Sequence, residues 1–232
     1  YGTAGINNSW AEIRQCSFRN SAADGIYIVG ETLARVTECQ FSKTAWSGIS
    51  VQGKACTATL DHNTFGDDCA ITLIGVRNGA TCTIEHNSGG QSSSDGILIS
   101  DPGTSAVIRN NTIADNDKHG IQIIAGAHAE LENNTCTGNR LSGISVDGGA
   151  EARIHNNTCS DNSQNGIAIS LSDAMAEGNA CQSNKLNGIR YRFGATGVAT
   201  NNTCQGNGKS GIAVDEWRTA PVLKNNQCLN NT

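Results

Sequence analysis

The amino-acid sequence predicts an all-β solenoid, in which one short structural unit is stacked about ten times along an axis. Three observations lead to this fold class: a repeat of 22–26 residues through the chain, short stretches of alternating apolar and polar residues, and no helical spacing of apolar residues. Units too short to fold alone become stable when neighbours cover their apolar faces. At the strand spacing of a β-sheet, the stack is a rod about 45–50 Å long.

The pair Gly-Ile marks the repeat, because it returns at nearly constant intervals. Its first residues are Gly25, Gly48, Gly96, Gly120, Gly143, Gly166, Gly188 and Gly211. Ala70-Ile71 is predicted to replace the pair in the coil that follows Gly48. With that replacement the successive spacings are 23, 22, 26, 24, 23, 23, 22 and 23 residues. Glycine at this point allows a close bend into the next strand.

Two short strands are predicted in each coil. The first follows Gly-Ile and alternates apolar and polar residues, as in Ile144–Asp147 and Ile167–Ser170. The second precedes an Asn pair, as at residues 106–108 and 152–154. In both strands we expect the branched residues to face the interior and the intervening residues to face outward.

The strand after Gly-Ile presents two predicted outward-facing columns. The first column contains Tyr27, Ser50, Thr72, Leu98, Gln122, Ser145, Ala168, Arg190 and Ala213. The second column contains Val29, Gln52, Ile74, Ser100, Ile124, Asp147, Ser170, Arg192 and Asp215. Both columns become polar and charged toward the C-terminal end, which makes that end a candidate binding surface.

Stacking also explains why the motif Asn-Asn-Thr-Cys recurs, since equivalent residues of successive coils lie above one another. Asn tolerates the left-handed backbone of a sharp bend, and its amide can bond to the next coil. The second Asn of each pair is Asn63, Asn87, Asn111, Asn134, Asn157, Asn179, Asn202 or Asn226. A packing column, in which cysteines are predicted to be free thiols, runs through Cys16, Cys39, Phe65, Gly89, Ile113, Cys136, Cys159, Cys181, Cys204 and Cys228.

Composition restricts the classes of partner. The net charge is −5 and no block of Lys or Arg occurs, so a nucleic-acid partner is not predicted. No apolar run is long enough for a membrane span, so no membrane partner is predicted. The chain is expected to form a single domain over residues 1–232 that is a segment of a larger protein. The sequence stops inside an Asn turn, and an end-to-end or capping contact is expected at that open coil.

The repeat motifs Asn-Asn-Thr-Cys and Gly-Ile resemble those of right-handed parallel β-helices of the pectate-lyase-like superfamily. More narrowly, they are similar to the short-coil repeats of carbohydrate-binding proteins, sugar hydrolases and F-box-type β-helix proteins. The resemblance extends from about Ile13 to Asn231. It implies a right-handed helix and a polysaccharide or protein partner, and it implies no cofactor.

The run Asp67-Asp68-Cys69 resembles the paired-aspartate segment of polygalacturonase-type glycosidases in the same superfamily. By that resemblance Asp67 and Asp68 are candidate catalytic acids that divide the acid and base roles. The chain lacks that family's Asn-Thr-Asp, Gly-His-Gly and Arg-Ile-Lys segments, the calcium-binding acids of pectate lyases and the Asp-Pro-His segment of uronate epimerases. An Asp pair between strands is also a common turn.

His119 is the third candidate catalytic residue. It follows Asp117 and Lys118, and a histidine beside charged residues can serve as a general base. Other coils carry Ser or Asn at this place, which favours a role in the bend. Cys-x-x-Cys and Cys/His spacings typical of zinc are absent, so no metal site is predicted.

A carbohydrate-binding face is predicted at the C-terminal end of the outward columns. It comprises Asp147, Arg190, Arg192, Asp215 and Trp217, because an aromatic platform and charged hydrogen-bonding groups are what sugar recognition requires. The alternative is an ordinary surface ion pair between Arg192 and Asp215.

Two functions from different classes follow. The favoured prediction is a non-catalytic module that binds a carbohydrate or protein partner along its outer sheet face. Its basis is the regular coil length, which leaves few long loops to enclose a cleft. The alternative is a polysaccharide-active enzyme, that is, a glycoside hydrolase, lyase or uronate epimerase.

Overall fold

Each coil of the computed structural model consists of three short strands separated by bends, and the coils are stacked in sequence order. The structure describes residues 3–66, 69 and 71–232. Its thirty strands form three ten-stranded sheets, and every strand pairs in parallel with its counterpart in the next coil. The all-β solenoid of about ten coils is confirmed. No helix among the described residues is long and apolar enough to cross a membrane.

Sheet A contains the strands that follow the Gly-Ile bends. Its strands are β1 (Ala4–Asn7), β4 (Ile26–Val29), β7 (Ser47–Gln52), β10 (Thr72–Arg77), β13 (Ile97–Ser100), β16 (Ile121–Ile124), β19 (Ile144–Asp147), β22 (Ile167–Ser170), β25 (Ile189–Arg192) and β28 (Ile212–Val214). Sheet B contains the strands that precede the Asn pairs. Its strands are β2 (Trp10–Arg14), β5 (Leu33–Thr37), β8 (Thr57–Asp61), β11 (Thr81–Glu85), β14 (Ser105–Arg109), β17 (His128–Glu132), β20 (Glu151–His155), β23 (Asp173–Glu177), β26 (Thr196–Thr200) and β29 (Val222–Lys224).

Sheet C lies at the Thr-Cys words, where the sequence predicted packing but no strand. Its strands are β3 (Ser17–Ser21), β6 (Gln40–Thr44), β9 (Thr64–Phe65), β12 (Ser88–Gly90), β15 (Thr112–Ala114), β18 (Thr135–Thr137), β21 (Thr158–Ser160), β24 (Ala180–Gln182), β27 (Thr203–Gln205) and β30 (Gln227–Leu229). Both strands predicted in each coil are present, and the third strand was not predicted. Most strands of sheet C have three residues, too few to show an alternating pattern in the sequence.

The core is a continuous column of small and branched side chains along the axis. Isoleucines of sheet A such as Ile49, Ile97 and Ile144 have no solvent exposure. In sheet C the aromatic rings of Phe18, Phe41 and Phe65 stack at centroid separations of 5.2 and 5.0 Å. A narrow core filled by isoleucine, alanine and cysteine explains the low aromatic content of the chain.

The predicted Asn ladder is confirmed. Asn157 has no exposed surface, and its Oδ1 accepts bonds from both the backbone N–H and the Nδ2 of Asn134, each at 2.9 Å. A second buried ladder, which the sequence analysis did not identify, joins the Asn residues five positions further along each coil. It consists of Asn116, Asn139, Asn162, Asn184, Asn207 and Asn231.

The predicted register was wrong in the coil after Gly48. Leu73-Ile74, and not Ala70-Ile71, takes the Gly-Ile place, since Ile74 pairs with Ile49 and with Ile97. The bend before β10 is longer by one residue: nine positions separate Phe65 from Ile74, whereas eight separate the equivalent residues of the preceding coil. Ile71 is accordingly 47% exposed.

That shift changes the membership of the outward columns. Thr72 and Ile74 were assigned to them, but both side chains are buried. Gly75 and Arg77 occupy those places instead, paired with Ser50 and Gln52.

The packing column was also misassigned in the first coils. Phe18 and Phe41 pair in register with Phe65, so the column begins with three phenylalanines. Cys39 lies two residues earlier, at the Asn-ladder position, where its N–H donates to Oδ1 of Asn63 at 3.0 Å. Cys16, one coil before Cys39, belongs to that position too.

Candidate functional site

A groove of about 460 Å³ lies on the outer face of sheet A, in the first four coils. Its lining includes two aromatic side chains, Tyr27 and Trp46, and the long or charged polar side chains of Asp24, Gln52 and Arg77. The remaining lining residues are Thr3, Ala23, Ser47, Ser50 and Ile71. The groove thus combines flat apolar surfaces with hydrogen-bonding groups of both charges.

The sheet register positions these side chains. Tyr27, Gln52 and Arg77 lie on consecutive strands β4, β7 and β10, and their alternation with buried residues directs them outward. Trp46 lies in the bend before β7 and is 57% exposed. An exposed tryptophan beside a polar groove presents a flat face on which an apolar ligand surface can stack.

Arg77 is held close to the sheet because residue 75 is glycine. A Cβ atom added at Gly75 would lie 3.0 Å from Nη2 of Arg77. The Nε of Arg77 is buried, and it has no hydrogen-bond partner among the described residues. An unpaired buried donor is costly unless a ligand or water accepts from it, so the site suits an oxygen-rich ligand.

Asp24 forms the polar edge of the groove. It is 8% exposed, and its Oδ1 accepts the backbone N–H of Ser47 at 2.9 Å. Gln52 completes this side, donating from Nε2 to Oγ of Ser50 at 3.0 Å. These bonds fix the orientation of the polar groups before a ligand arrives.

His119 lies on the same edge of sheet A, three coils further along in the bend column that contains Ser47, Thr72 and Asp95. Its backbone N–H donates to Oδ1 of Asp95 at 3.0 Å, and its Nδ1 accepts the N–H of Ser142 at 3.1 Å. Burial lowers the pKa of His119, against the opposing effect of the Asp95 carboxylate. The His119 ring therefore acts as a hydrogen-bond acceptor that stabilises the bend of the next coil. The assignment of His119 as a catalytic residue stays a prediction.

The predicted C-terminal face is only partly assembled. Arg190 bonds Asp215 through Nε and Oδ2 at 2.8 Å, so Asp215 pairs with Arg190 and not with Arg192. The guanidinium of Arg192 lies 4.9 Å from the centroid of the Phe193 ring. Trp217 is 79% exposed in the bend beyond.

Asp147 stands apart from this group. It lies two strands away from Arg192 in sheet A, and its Oδ1 accepts the N–H of Gly148 at 2.7 Å. The assignment of these five residues to carbohydrate binding remains a prediction. Asp67 and Asp68 lie outside the described residues.

Sequence reasoning missed the N-terminal groove because the register error hid Arg77. The stretch Leu73-Ile74-Gly75-Val76-Arg77 contains the signal: buried branched residues at 74 and 76 alternate with outward positions at 75 and 77. Aligning the coil on this alternation, and not on Ala70-Ile71, would have paired Arg77 with Gln52, on the sheet face that also carries Tyr27.

Three side chains with metal-ligating atoms meet at the opposite corner, where sheet B ends. Nδ1 of His62 and Nδ1 of His86 lie 2.8 and 3.0 Å from Oδ1 of Asp61. The two imidazole rings stack with centroids 4.6 Å apart. The sequence predicted no metal here: Asp61 and His62 are adjacent in the chain, but His86 belongs to the next coil and joins them only through stacking.

Solved structures share this architecture at low sequence identity. The periplasmic alginate epimerase AlgG is 13% identical with a TM-score of 0.79, covering 96% of this chain and 60% of its own. The A-module of the Azotobacter vinelandii mannuronan C-5 epimerase AlgE4 is 16% identical with a TM-score of 0.58, covering 98% of this chain and 87% of its own. A tailspike protein variant of E. coli bacteriophage HK620, in complex with a pentasaccharide, is 14% identical with a TM-score of 0.53, covering 90% and 48%.

This chain spans about 60% of the length of AlgG. No curated protein matches it by sequence. A family model described as the right-handed β-helix region matches residues 4–158 and 127–232, which together include nearly the whole chain. The chain therefore belongs to the right-handed β-helix family.

Proposed function

We propose that this protein binds a polysaccharide across the outer face of sheet A, in the groove lined by Tyr27, Trp46 and Arg77, and acts on it chemically. The observation that carries the proposal is that one groove contains both an exposed tryptophan, Trp46, and an arginine, Arg77. The buried Nε of Arg77 has no hydrogen-bond partner among the described residues. Sugar rings stack on aromatic faces, and their hydroxyl and carboxylate oxygens accept from a guanidinium.

The enzyme alternative is preferred to the non-catalytic module because of what the similar structures do. Two of them are epimerases that act on alginate or mannuronan, and a third was solved with a pentasaccharide. The groove also has the concave shape that the sequence did not predict, which weakens the main argument for a module.

Two of the candidate catalytic groups, Asp24 and His119, lie along the same edge of sheet A. Asp24 is the carboxylate among the groove residues that the structure describes. Asp68 precedes the groove residue Ile71 by three positions in the sequence, which keeps Asp67 and Asp68 as candidates. A hydrolase requires two carboxyl groups, whereas proton abstraction next to a sugar carboxylate requires a cation such as Arg77 to stabilise the developing charge.

Binding is tested by calorimetry of the purified protein with alginate, polymannuronate, polygalacturonate and neutral glucans. We expect Trp46→Ala and Arg77→Met to weaken binding by about tenfold or more, since each removes a principal contact. Trp217→Ala and Arg192→Ala are matched controls on the C-terminal face. If only these controls abolish binding, the site is the C-terminal face; if the chain binds no polysaccharide, the proposal is wrong.

Turnover is tested separately on whichever polysaccharide binds. Chain shortening and unsaturated ends distinguish hydrolysis from elimination, and proton NMR detects epimerisation. Asp68→Asn, Asp24→Asn and His119→Asn identify the groups that the reaction requires. Binding without any change of the polymer would support the non-catalytic module instead.

A further inference from the structure

We propose that Asp61, His62 and His86 bind one divalent transition-metal ion of the zinc class. The three side chains come from two adjacent coils, and one ligand atom from each lies within 4.8 Å of the others. Both Nδ1 atoms point at the same carboxylate oxygen. The site lies at the corner between sheets B and C and is separate from the proposed polysaccharide groove.

The donor atoms lie slightly closer together than the ligand atoms of a bound zinc ion. At zinc bond lengths of roughly 2.0–2.2 Å, two tetrahedral ligand atoms are separated by roughly 3.3–3.5 Å. The present separations from Oδ1 of Asp61 are 2.8 Å to His62 and 3.0 Å to His86. A small outward movement of exposed side chains makes room for the ion, and the open side leaves its fourth position to water.

The two histidines occupy a left-handed backbone position that recurs in the neighbouring coils. The residue after each sheet B strand is left-handed, with φ of 53° at His62 and 54° at His86. Asn110, Asn133 and Asn156 occupy the same place in the next coils, at φ between 53° and 55°. Histidine replaces asparagine in two successive coils. Asp61, the last residue of β8, immediately precedes His62 in the chain.

Surrounding groups support the ligands. Nε2 of His86 lies 3.3 Å from Nδ2 of Asn110. When Nδ1 binds a metal the ring proton resides on Nε2, and a half-turn of the Asn110 amide presents its oxygen to accept that proton. Metal-bound histidines commonly have such a partner, which fixes the tautomer and the ring orientation.

The donor set and charge determine which ion fits. Imidazole nitrogen with a single carboxylate suits zinc, nickel, cobalt and copper, whereas calcium and magnesium require more oxygen ligands. Asp61 pairs in register with Glu85, which adds a second carboxylate to this part of sheet B. The nearby cations Arg14 and Arg109 are engaged with glutamates.

The test is titration of untagged protein with Zn²⁺ and Co²⁺ by calorimetry and visible absorption. We expect one ion per chain, tetrahedral Co²⁺ bands, and a change of both histidines from the Nδ1–H to the Nε2–H tautomer in ¹⁵N NMR. His62→Asn and His86→Asn restore the residue used by neighbouring coils, so the fold is retained. Each should weaken Zn²⁺ binding by about tenfold or more.

His128→Asn is the matched control, because His128 is an exposed histidine of sheet B outside the cluster. It should leave Zn²⁺ affinity unchanged, and Ca²⁺ should not compete. Binding that survives both cluster substitutions, or no Zn²⁺ binding at concentrations up to about 100 μM, would overturn the proposal. Since polysaccharide binding is measured without metal, this result is independent of the proposed function.

Discussion

At the scale of single residues, the buried polar atoms of the bends are satisfied by the coils on both sides as well as by their own. Nδ2 of Asn157 donates to the carbonyl oxygens of Leu131 and His155 and to Oδ1 of Asn179, at 2.9–3.1 Å. Each Asn of this ladder thus forms hydrogen bonds with residues of three coils. A polar residue with no solvent contact is tolerated only in such a network.

Asn157→Ala should lower the free energy of unfolding by about 2–5 kcal/mol, because it leaves the N–H and Nδ2 donors of Asn134 buried without their acceptor. Chemical denaturation monitored by circular dichroism measures the change. The matched control is Asn156→Gly, at an exposed position with φ of +53°. Glycine adopts that conformation freely, so the change should stay within about 0.5 kcal/mol. Equal losses in both variants would contradict the ladder's role.

His119 occupies a position that asparagine fills elsewhere. Its Nδ1 accepts the N–H of Ser142, as Oδ1 of Asn187 accepts the N–H of Ser210 at 3.2 Å. Asn should therefore replace His119 without loss of the bend. The charged groups that influence the ring are Asp95, Lys118 and Asp147.

His119→Asn should remove a pH dependence of stability. Burial lowers the pKa of His119, so the unfolded chain binds the proton first as the pH falls below about 6.5. The wild type is then destabilised with decreasing pH, by at most about 1.4 kcal/mol per pH unit, until the folded histidine is protonated too. Denaturation curves of both proteins between neutral and acidic pH measure the difference. Parallel curves would show that the folded state does not disfavour the charged ring.

At the scale of the strand, β10 shows how one small residue shapes a surface. Outward positions of sheet A carry side chains on the neighbouring strands, but Gly75 leaves a gap that the guanidinium of Arg77 approaches. The strand itself is held by register with β7 and β13, so its geometry does not depend on that side chain.

Gly75→Ala should displace Arg77 from the sheet and weaken polysaccharide binding several-fold with little change in the melting temperature. The reason is steric: the new Cβ would lie 3.0 Å from Nη2 of Arg77 and is accommodated by moving that flexible side chain. Calorimetry and thermal denaturation measure the two effects. As a contrast, Gly188→Ala should destabilise the fold, because its Cβ would meet the carbonyl oxygen of Gly211 at 2.5 Å. Unchanged affinity in Gly75→Ala would argue against Arg77 as a ligand-binding group.

At the scale of the whole molecule, the packing column is a continuous line of side chains whose chemistry changes along the axis. Phenylalanine rings fill it in the first coils, and Cys136, Cys159, Cys181 and Cys204 fill it with buried thiols near the other end. The coil cross-section is nearly constant, so a smaller residue in this column must be balanced by larger ones elsewhere in the coil.

Thiol labelling of the native protein should detect about two reactive cysteines, Cys16 and Cys228, which are the exposed ones. Burial raises the pKa of the Cys39, Cys56 and Cys82 thiols and so suppresses their reactive thiolate form. In denaturant without reductant, all nine cysteines other than Cys69 should react. Mass spectrometry after alkylation identifies them. A low count in denaturant would show disulfides between neighbouring coils.

The sequence was a good guide to features that repeat. Gly-Ile and Asn-Asn spacings predicted the coil number, sheets A and B and the ladder from Asn63 to Asn226, all of which are confirmed. It failed where one coil departs from the pattern, since an extra residue before β10 shifted Thr72 and Ile74 out of their assigned columns. Three-residue strands of sheet C were too short to predict.

By itself, the sequence determined the fold class, because stacking identical units requires every ladder residue to recur at one spacing, and that spacing is readable directly. The tertiary structure decided which unlike residues become neighbours. Trp46 and Arg77 line one groove, and His62 stacks on His86, only after separate coils are aligned, since these arrangements depend on exact register and bend length. A one-residue change in a bend changes which residues of that coil pair with the neighbouring coils, and no local pattern records the result.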